Sequence, residues 1–362
     1  MENAMSRTEI WSVKDTSLPE IYTAVQNLRA RAGHDAIRTS VMTLVVVAAN
    51  ERAAIRAKEA MTNLGVRHPG RTIILSCHPK MVTELDAEVS LCEADSDMKK
   101  LWWDEIFISV GKNTCEHIGS VVEPLLLPDL PIAIWFTPIP PPSDHPLIDM
   151  ANTVIVDGIG HKQELAGIEP PLAGVVPADQ LDMLVQLCRA KPVLDLSWIA
   201  WSHLRELVAS LFDPPEVRKF VKHIQSASVE APHPSALLLA GWLWDRLNLE
   251  LNSIHVADAP EAVVVLESMY AGQSAQFKVT SDPSGHELYG EVRVRGQQVI
   301  SDKVYFPPQS LSWTLTKALS LSDHDRIYER ALIQARDLSI AMGRVWGTFT
   351  GAQRNQAAYT SS

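Results

Sequence analysis

The sequence predicts an α/β N-terminal domain, built on a mostly parallel sheet with flanking helices, followed by a smaller α+β C-terminal domain. Three observations carry this expectation. A chain of 362 residues suits two domains at roughly 100–200 residues each. The first half alternates continuous β-branched runs with amphipathic helical patterns, which is how buried parallel strands and their crossover helices read. Beyond residue 190 the order changes to helices followed by runs of alternating polarity, the pattern of helices laid on an antiparallel sheet.

Taken in order, residues 1–37 form a polar helical leader, 38–190 the α/β domain, 191–349 the α+β domain and 350–362 a disordered tail. "SVMTLVVVAA" (40–49) is a strand buried on both faces. "NERAAIRAKEAMTNLG" follows as a helix with Asn50 as N-cap and Gly65 as C-cap, and "RTIILS" (71–76) completes a βαβ unit. "EVSLCEA" (88–94) and "EIFISVG" (105–111) are further strands. "NTCEHIGSVVEPLLL" reads as one amphipathic helix with Asn113 at its start, because Ile118, Val121, Val122, Leu125 and Leu126 share a face. That helix stops at Pro128, "PDLP" turns, and "IAIWF" (132–136) and "TVIVDG" (153–158) add buried strands. In the second half, "DLSWIAWSHLRELVASLFDPPE" and "HPSALLLAGWLWDRLNL" are helices, the latter with Ser235 as N-cap. Residues 261–306 form antiparallel strands with a hairpin at Pro283–Gly285, and a closing helix starts around Ser322 and Asp325.

Composition narrows the function classes. A formal charge of −11 without any Lys/Arg cluster argues against nucleic acid or an anionic membrane surface as partner. The apolar stretch 124–142 is cut by Asp129 and repeated prolines, well short of the ~20 apolar residues needed to span a bilayer. The N-terminus has no apolar signal region. Cys77, Cys92, Cys115 and Cys188 stand singly, which fits reduced thiols in a cytoplasm better than a disulfide framework.

Motifs for chemistry are sparse. No GxxxxGK[ST] and no GxSxG occurs, and "VIVDGIGHKQ" places Gln163 where a dinucleotide fingerprint needs its third glycine. The histidines and cysteines have no zinc-ligand spacing. His324 between Asp323 and Asp325 fits a helix start, where acids favour the dipole, better than proton transfer. Trp198 and Trp201 at i, i+3 and Trp242 on a second helix read as core. A ligand reading survives at the carboxyl ends of the first domain's strands, where Gly111, Asp157 and Gly158 lie. It would make the protein a sugar-phosphate- or nucleotide-binding sensor or enzyme.

The ordered set "RTSVMTLVV", "HPGRTIIL", "VVEPLLLPDLPIAIWF", "DLSWIAWSHLRELVASLFDPPE" and "SALLLAGWLWDRL" resembles the OpcA family, glucose-6-phosphate dehydrogenase assembly proteins of cyanobacteria and actinobacteria. The family stretch "LLxPxLPxxxWW" is matched by Leu126, Leu127, Pro128, Leu130, Pro131 and Trp135, with Phe136 in place of the second tryptophan. "DLxWxRLxPW" is matched at Trp198 and departs at Ala200, Trp201, His203 and Leu204, after which "FDPPE" returns to the pattern. Gly70 stands where the family often has Cys or Ser before the arginine of "HPxR". The resemblance implies a non-catalytic, cytoplasmic protein with no cofactor or metal. It would bind glucose-6-phosphate dehydrogenase, promote its active oligomer, and so support NADPH production in the oxidative pentose phosphate pathway. The family-signature or partner-contact residues it implies are Pro128, Pro131, Trp135, Trp198, Asp213, Pro214, Pro215 and Trp242.

Overall fold

The computed structural model describes residues 6–31, 40–61, 64, 70–78, 81–96, 99–158, 177–232, 235–282, 286–306, 310–321 and 324–358. Gly65, Gly160, Gln163, Pro283–Gly285, Ser322 and Asp323 lie outside them. The chain forms two compact units, residues 1–174, 186–199 and 309–324 in one and 175–185, 200–308 and 325–362 in the other. In place of a single cut near residue 190, the division is interleaved: a late segment returns to the first unit.

The first unit is built on an eight-stranded sheet with strands β1 (Ser6–Val13), β2 (Met42–Ala48), β3 (Gly70–Cys77), β4 (Leu85–Ser96), β5 (Lys99–Val110), β6 (Ile132–Thr137), β7 (Thr153–Val156) and β8 (Val193–Asp195). Their order is β1-β4-β5-β3-β2-β6-β7-β8. The five pairings from β5 to β8 are parallel, and only β1–β4 and β4–β5 are antiparallel. The mostly parallel sheet expected from the β-branched runs is therefore present, because strands covered on both faces must be apolar throughout. From β2 the chain moves out through β3 to β5, then crosses to the other side of β2 with β6. The carboxyl ends of β2 and β6 thus flank a topological switch point.

Helices cover both faces. α1 (Leu18–Arg31) buries Ile21, Ala24, Val25 and Leu28. α2 (Glu51–Met61) buries Ala53, Ala54, Ala57, Ala60 and Met61 against Leu44, Val46, Ile74 and Trp135. Asn50 caps α2 as expected, its side-chain oxygen accepting from Ala53 N at 2.8 Å. The polar leader is more than a helix: it includes β1, whose Ile10, Trp11 and Val13 supply strand propensity that its polar neighbours mask. The single helix expected over 113–127 is instead α3 (Lys112–Glu116), α4 (Ile118–Val122) and a 3-10 turn over Glu123–Leu125. His117 leaves helical geometry at φ −118°, ψ 31°, and Asn113 sits inside α3 with its amide on Glu84 at 3.0 Å.

The second unit holds a six-stranded sheet in the order β10-β9-β11-β12-β13-β14, with β9 (Ile224–Ala231), β10 (Ile254–Asp258), β11 (Val263–Tyr270), β12 (Gln273–Ser281), β13 (Glu287–Val294) and β14 (Gln297–Tyr305). All neighbours are antiparallel except β9 and β10. Two tight turns use left-handed pairs, Ala271–Gly272 and Arg295–Gly296, as two-residue hairpins require. The long helix expected from residue 195 breaks at Trp201 (φ −88°, ψ 12°). It yields α6 (Leu196–Ala200) and α7 (Ser202–Ser210), after α5 (Pro177–Ala190) and before α8 (Pro215–Val221). Ser235 opens α9 (Ser235–Leu247) as a buried helical residue, not as the expected cap. α10 (Leu311–Leu319) belongs to the first unit, where Leu315 and Ala318 join the core beneath α2.

α11 (Arg326–Ala358) lies against α9 so closely that a Cβ on Gly241 would meet the Ala331 carbonyl at 2.3 Å. Asp325 caps α11 through Ile327 N and Tyr328 N at 2.9 and 3.0 Å. The helix continues through Ala358, in keeping with the helix formers in its last turns. No helix among the described residues is long and apolar enough to cross a membrane.

Candidate functional site

At the switch point, the carboxyl ends of β2, β6, β7 and β8 bring together residues from four parts of the chain. Trp135 is fully buried, and its indole N–H donates to Asp157 Oδ1 at 2.7 Å. Asp157 Oδ2 accepts from the Thr137 hydroxyl at 2.6 Å and from the Arg56 guanidinium, which also donates to Thr137 Oγ1 at 3.0 Å. The Asp157 side chain is 7% exposed and that of Arg56 32%, so a nearly buried carboxylate is neutralised by a cation at the surface. Beside it Gly158 takes φ +83°, and a Cβ there would meet Ser197 Oγ at 2.4 Å. Asp195 Oδ1 accepts from Ser197 N, Ser197 Oγ and Trp198 N at 2.8, 2.6 and 3.1 Å, and so starts α6 in the manner of an N-cap. One polar strip thus links the buried Trp135 to the buried Trp198.

This rim differs from an anion site in its details. The turn from β2 into α2 is only Ala49–Asn50, with no glycine for a phosphate to approach. Glu51 places a negative charge in the first turn of α2, the helix end that would otherwise favour a phosphate. Both Asp157 oxygens are engaged by protein groups. Gly111, the third residue expected at the rim, lies at the end of β5 before α3. Its N–H donates to the Glu84 carbonyl at 2.9 Å, and a Cβ would meet the Thr83 carbonyl at 2.9 Å.

The same edge carries a correction to the reading of the cysteines. Cys77, at the end of β3, and Cys115, in α3, are joined as a disulfide with Cα atoms 5.9 Å apart, whereas Cys92 and Cys188 are buried thiols outside any disulfide. A sequence separation of 38 hides the pairing, because only the adjacency of β3 and β5 brings the two together. Among the described residues no three His, Cys, Asp or Glu side chains are grouped to hold a metal ion.

A second polar cluster lies within the sheet, level with the strands' starts. Asp104 accepts from Arg71 Nε and Nη2 at 3.2 and 3.0 Å and from Arg29 Nε at 2.9 Å, with a further contact from Arg29 Nη2. Arg71 and Asp104 side chains are 4% and 3% exposed. Burial pulls the Arg71 guanidinium below the usual arginine range, against the opposing pull of the Asp104 charge. Arg71 also donates to the Leu125 carbonyl at 2.7 Å. Sequence reasoning passed over Arg29, Arg56, Arg71 and Asp104; the arginine of "HPGR" was the available signal.

The remaining signature residues divide between the units. Pro128 and Pro131 are exposed at the turn before β6. In the second unit Asp213 is exposed, Pro214 precedes α8 with φ −60°, ψ 132°, and Pro215 is its first residue, the position where proline suits a helix start. Trp242 is half-buried on α9. Trp135 and Trp198 are thus core residues of one unit, and the Asp213–Pro215 segment is a helix start of the other.

Two family models match the chain, together over more than two-thirds of its length: the glucose-6-phosphate dehydrogenase subunit N-terminal domain over residues 61–169 and the corresponding C-terminal domain over residues 191–332. Among curated proteins the chain is similar to the putative OxPP cycle protein OpcA of Synechocystis sp., 31% identical over 139 residues, covering 36% of this chain and 26% of the relative. It is 27% identical over 194 residues to the protein of that name from Nostoc punctiforme, covering 51% and 39%. The corresponding protein of Synechococcus elongatus is 29% identical over 138 residues, covering 36% and 28%. The aligned stretches therefore span between about a quarter and two-fifths of these relatives.

Proposed function

The chain belongs to the OpcA family, and from that premise we propose that it is a non-catalytic partner of glucose-6-phosphate dehydrogenase. It binds that enzyme in the cytoplasm, promotes its active oligomer and so raises NADPH production in the oxidative pentose phosphate pathway. The observation that carries this reading is the consecutive match of both halves to domains described as parts of a glucose-6-phosphate dehydrogenase subunit. The switch-point rim supports it from the other direction, since Asp157, Arg56 and Thr137 engage one another where a substrate would be expected. Activation of this kind is linkage: a protein that binds the active oligomer more tightly than the inactive form shifts the population by that difference.

The test mixes this protein with the dehydrogenase of the same organism. Co-elution on size-exclusion chromatography at a mass above either protein alone, with a faster rate of NADPH formation, is the expected result. Separate elution with an unchanged rate and substrate affinity rejects the proposal. A thermal-shift screen with sugar phosphates and nicotinamide nucleotides separates the other reading: stabilisation by one of them in the absence of the dehydrogenase would favour a ligand sensor.

A further inference from the structure

Three segments distant in sequence meet at the amino edge of the eight-stranded sheet. β2, β3 and β6 start side by side, with Met42 opposite Gly70 and Thr43 opposite Ile132. The approach is close enough that a Cβ on Gly70 would meet the Met42 carbonyl at 2.3 Å. The turn that enters β6 is pinned at both ends. Arg71 holds the Leu125 carbonyl at 2.7 Å, and Thr43 Oγ1 accepts from Leu127 N at 3.2 Å. The Pro131 carbonyl accepts from Thr43 N at 2.9 Å, and Asn152 Oδ1 from Ile132 N at 2.8 Å. Between those ends Asp129 sits in the left-handed region at φ +61°, and Pro128 and Pro131 fix φ on either side of it. Yet the turn faces outward: Pro128, Asp129 and Pro131 are exposed and Leu130 is half-buried.

Rigidity of this kind costs stability. A non-glycine residue at positive φ is disfavoured, and Arg71 with Asp104 had to be desolvated to hold one backbone carbonyl. Restraint of a solvent-facing turn suits a contact surface, because a pre-organised segment loses less freedom on binding. An exposed turn of this kind does not suit a small molecule, which needs a concave site. Its tip carries a carboxylate, which disfavours nucleic-acid phosphates and anionic lipid.

We infer that the Pro128–Pro131 turn is a protein-docking knob, and that its occupant is a shallow apolar notch on the dehydrogenase which receives Leu130 between the two prolines. This rests on the function proposed above. It places the first unit's contact at the amino edge of the sheet, away from the carboxyl edge where α/β sheets hold small ligands.

The test measures binding of the full chain and its variants to the dehydrogenase. Leu130→Arg should weaken the complex by at least about tenfold, as expected of a central interface residue. Val82→Arg, at a fully exposed position between β3 and β4 on the carboxyl edge, should stay within about twofold of the parent. Parent-like binding by Leu130→Arg overturns the inference, as does loss of binding by Val82→Arg with Leu130→Arg intact. Absence of binding by the parent itself rejects the function on which the inference rests, and is recognisable because no complex forms at all. Should Leu130→Arg lower the melting temperature, hydrogen exchange on the unmodified complex decides: slowed exchange at residues 126–132 supports the knob, and unchanged exchange refutes it.

Discussion

Replacing Trp135 by phenylalanine separates the two roles that a fully buried ring in a signature stretch could have. The indole is fully buried, and its N–H is one of the groups that hold Asp157, a carboxylate with 7% exposure. Phenylalanine keeps an aromatic ring but leaves Asp157 Oδ1 without that donor, a loss of about 1.5–3 kcal/mol for a hydrogen bond to a charged group. The smaller ring also opens a void beneath α2 and α10, adding about 1 kcal/mol. The sum, about 2.5–4 kcal/mol, corresponds to a fall in melting temperature of roughly 5–15 °C for a unit of this size. The assay is calorimetry of the parent and Trp135→Phe, paired with activation of the dehydrogenase at a temperature where both are folded. Activation should be unchanged, because the side chain has no exposed surface to offer a partner. A melting temperature within about 2 °C of the parent would refute the role assigned to the indole–Asp157 bond. Lost activation at unchanged stability would refute the assignment of Trp135 to the core.

Gly158→Ala should destabilise the first unit by more than about 2 kcal/mol, since it combines a disfavoured φ of +83° with a Cβ 2.4 Å from Ser197 Oγ. Ser197→Ala added to it should restore only part of the loss in urea unfolding, and full rescue would show that the backbone conformation is not limiting. Reducing the Cys77–Cys115 bond opens a loop set by a separation of 38, for which the chain-entropy model gives up to about 4 kcal/mol. Melting with and without reductant should differ for the parent and not for Cys77→Ser, and identical parent melts would contradict the bond's contribution. His145 is held below the usual histidine range by burial, against the smaller opposing effect of Asp144. Its ring meets Phe136 edge-on at 5.0 Å and accepts from Leu147 N through Nδ1 at 3.3 Å. A depressed folded-state value means the unfolded chain binds the extra proton first, so stability falls as pH drops below about 6.5 and levels off once the folded form is protonated too. His145→Asn should flatten that part of a stability–pH profile, and an unaltered slope would assign it to other groups.

What the sequence disclosed, and what it withheld, follows from the range of the interactions concerned. Strands such as β2, β3 and β6 were legible because burial on both faces forces a continuous apolar run, and the start of α2 was legible because Asn50 is a local capping signal. The break of α3 from α4 at His117 was not, because helical periodicity continues through it and only the tertiary setting, including the Cys115 link to β3, sets the geometry. β1 was hidden by polar composition, and its pairing with β4 needs a partner 74 or more residues away (Val13 to Ala87). The stretch "PLLLPDLPIAIWF" shows the same division within thirteen residues. Its proline turn and buried strand could be read from pattern, and the family resemblance could be read from its spacing. That Trp135 faces inward to Asp157 while Pro128–Pro131 faces outward on a scaffold held by Arg71 depended on residues from β3, β5 and the loop just after β7. A motif of this kind therefore joins two functions that mutation can part: its tryptophan end maintains the sheet, and its proline end is available to a partner.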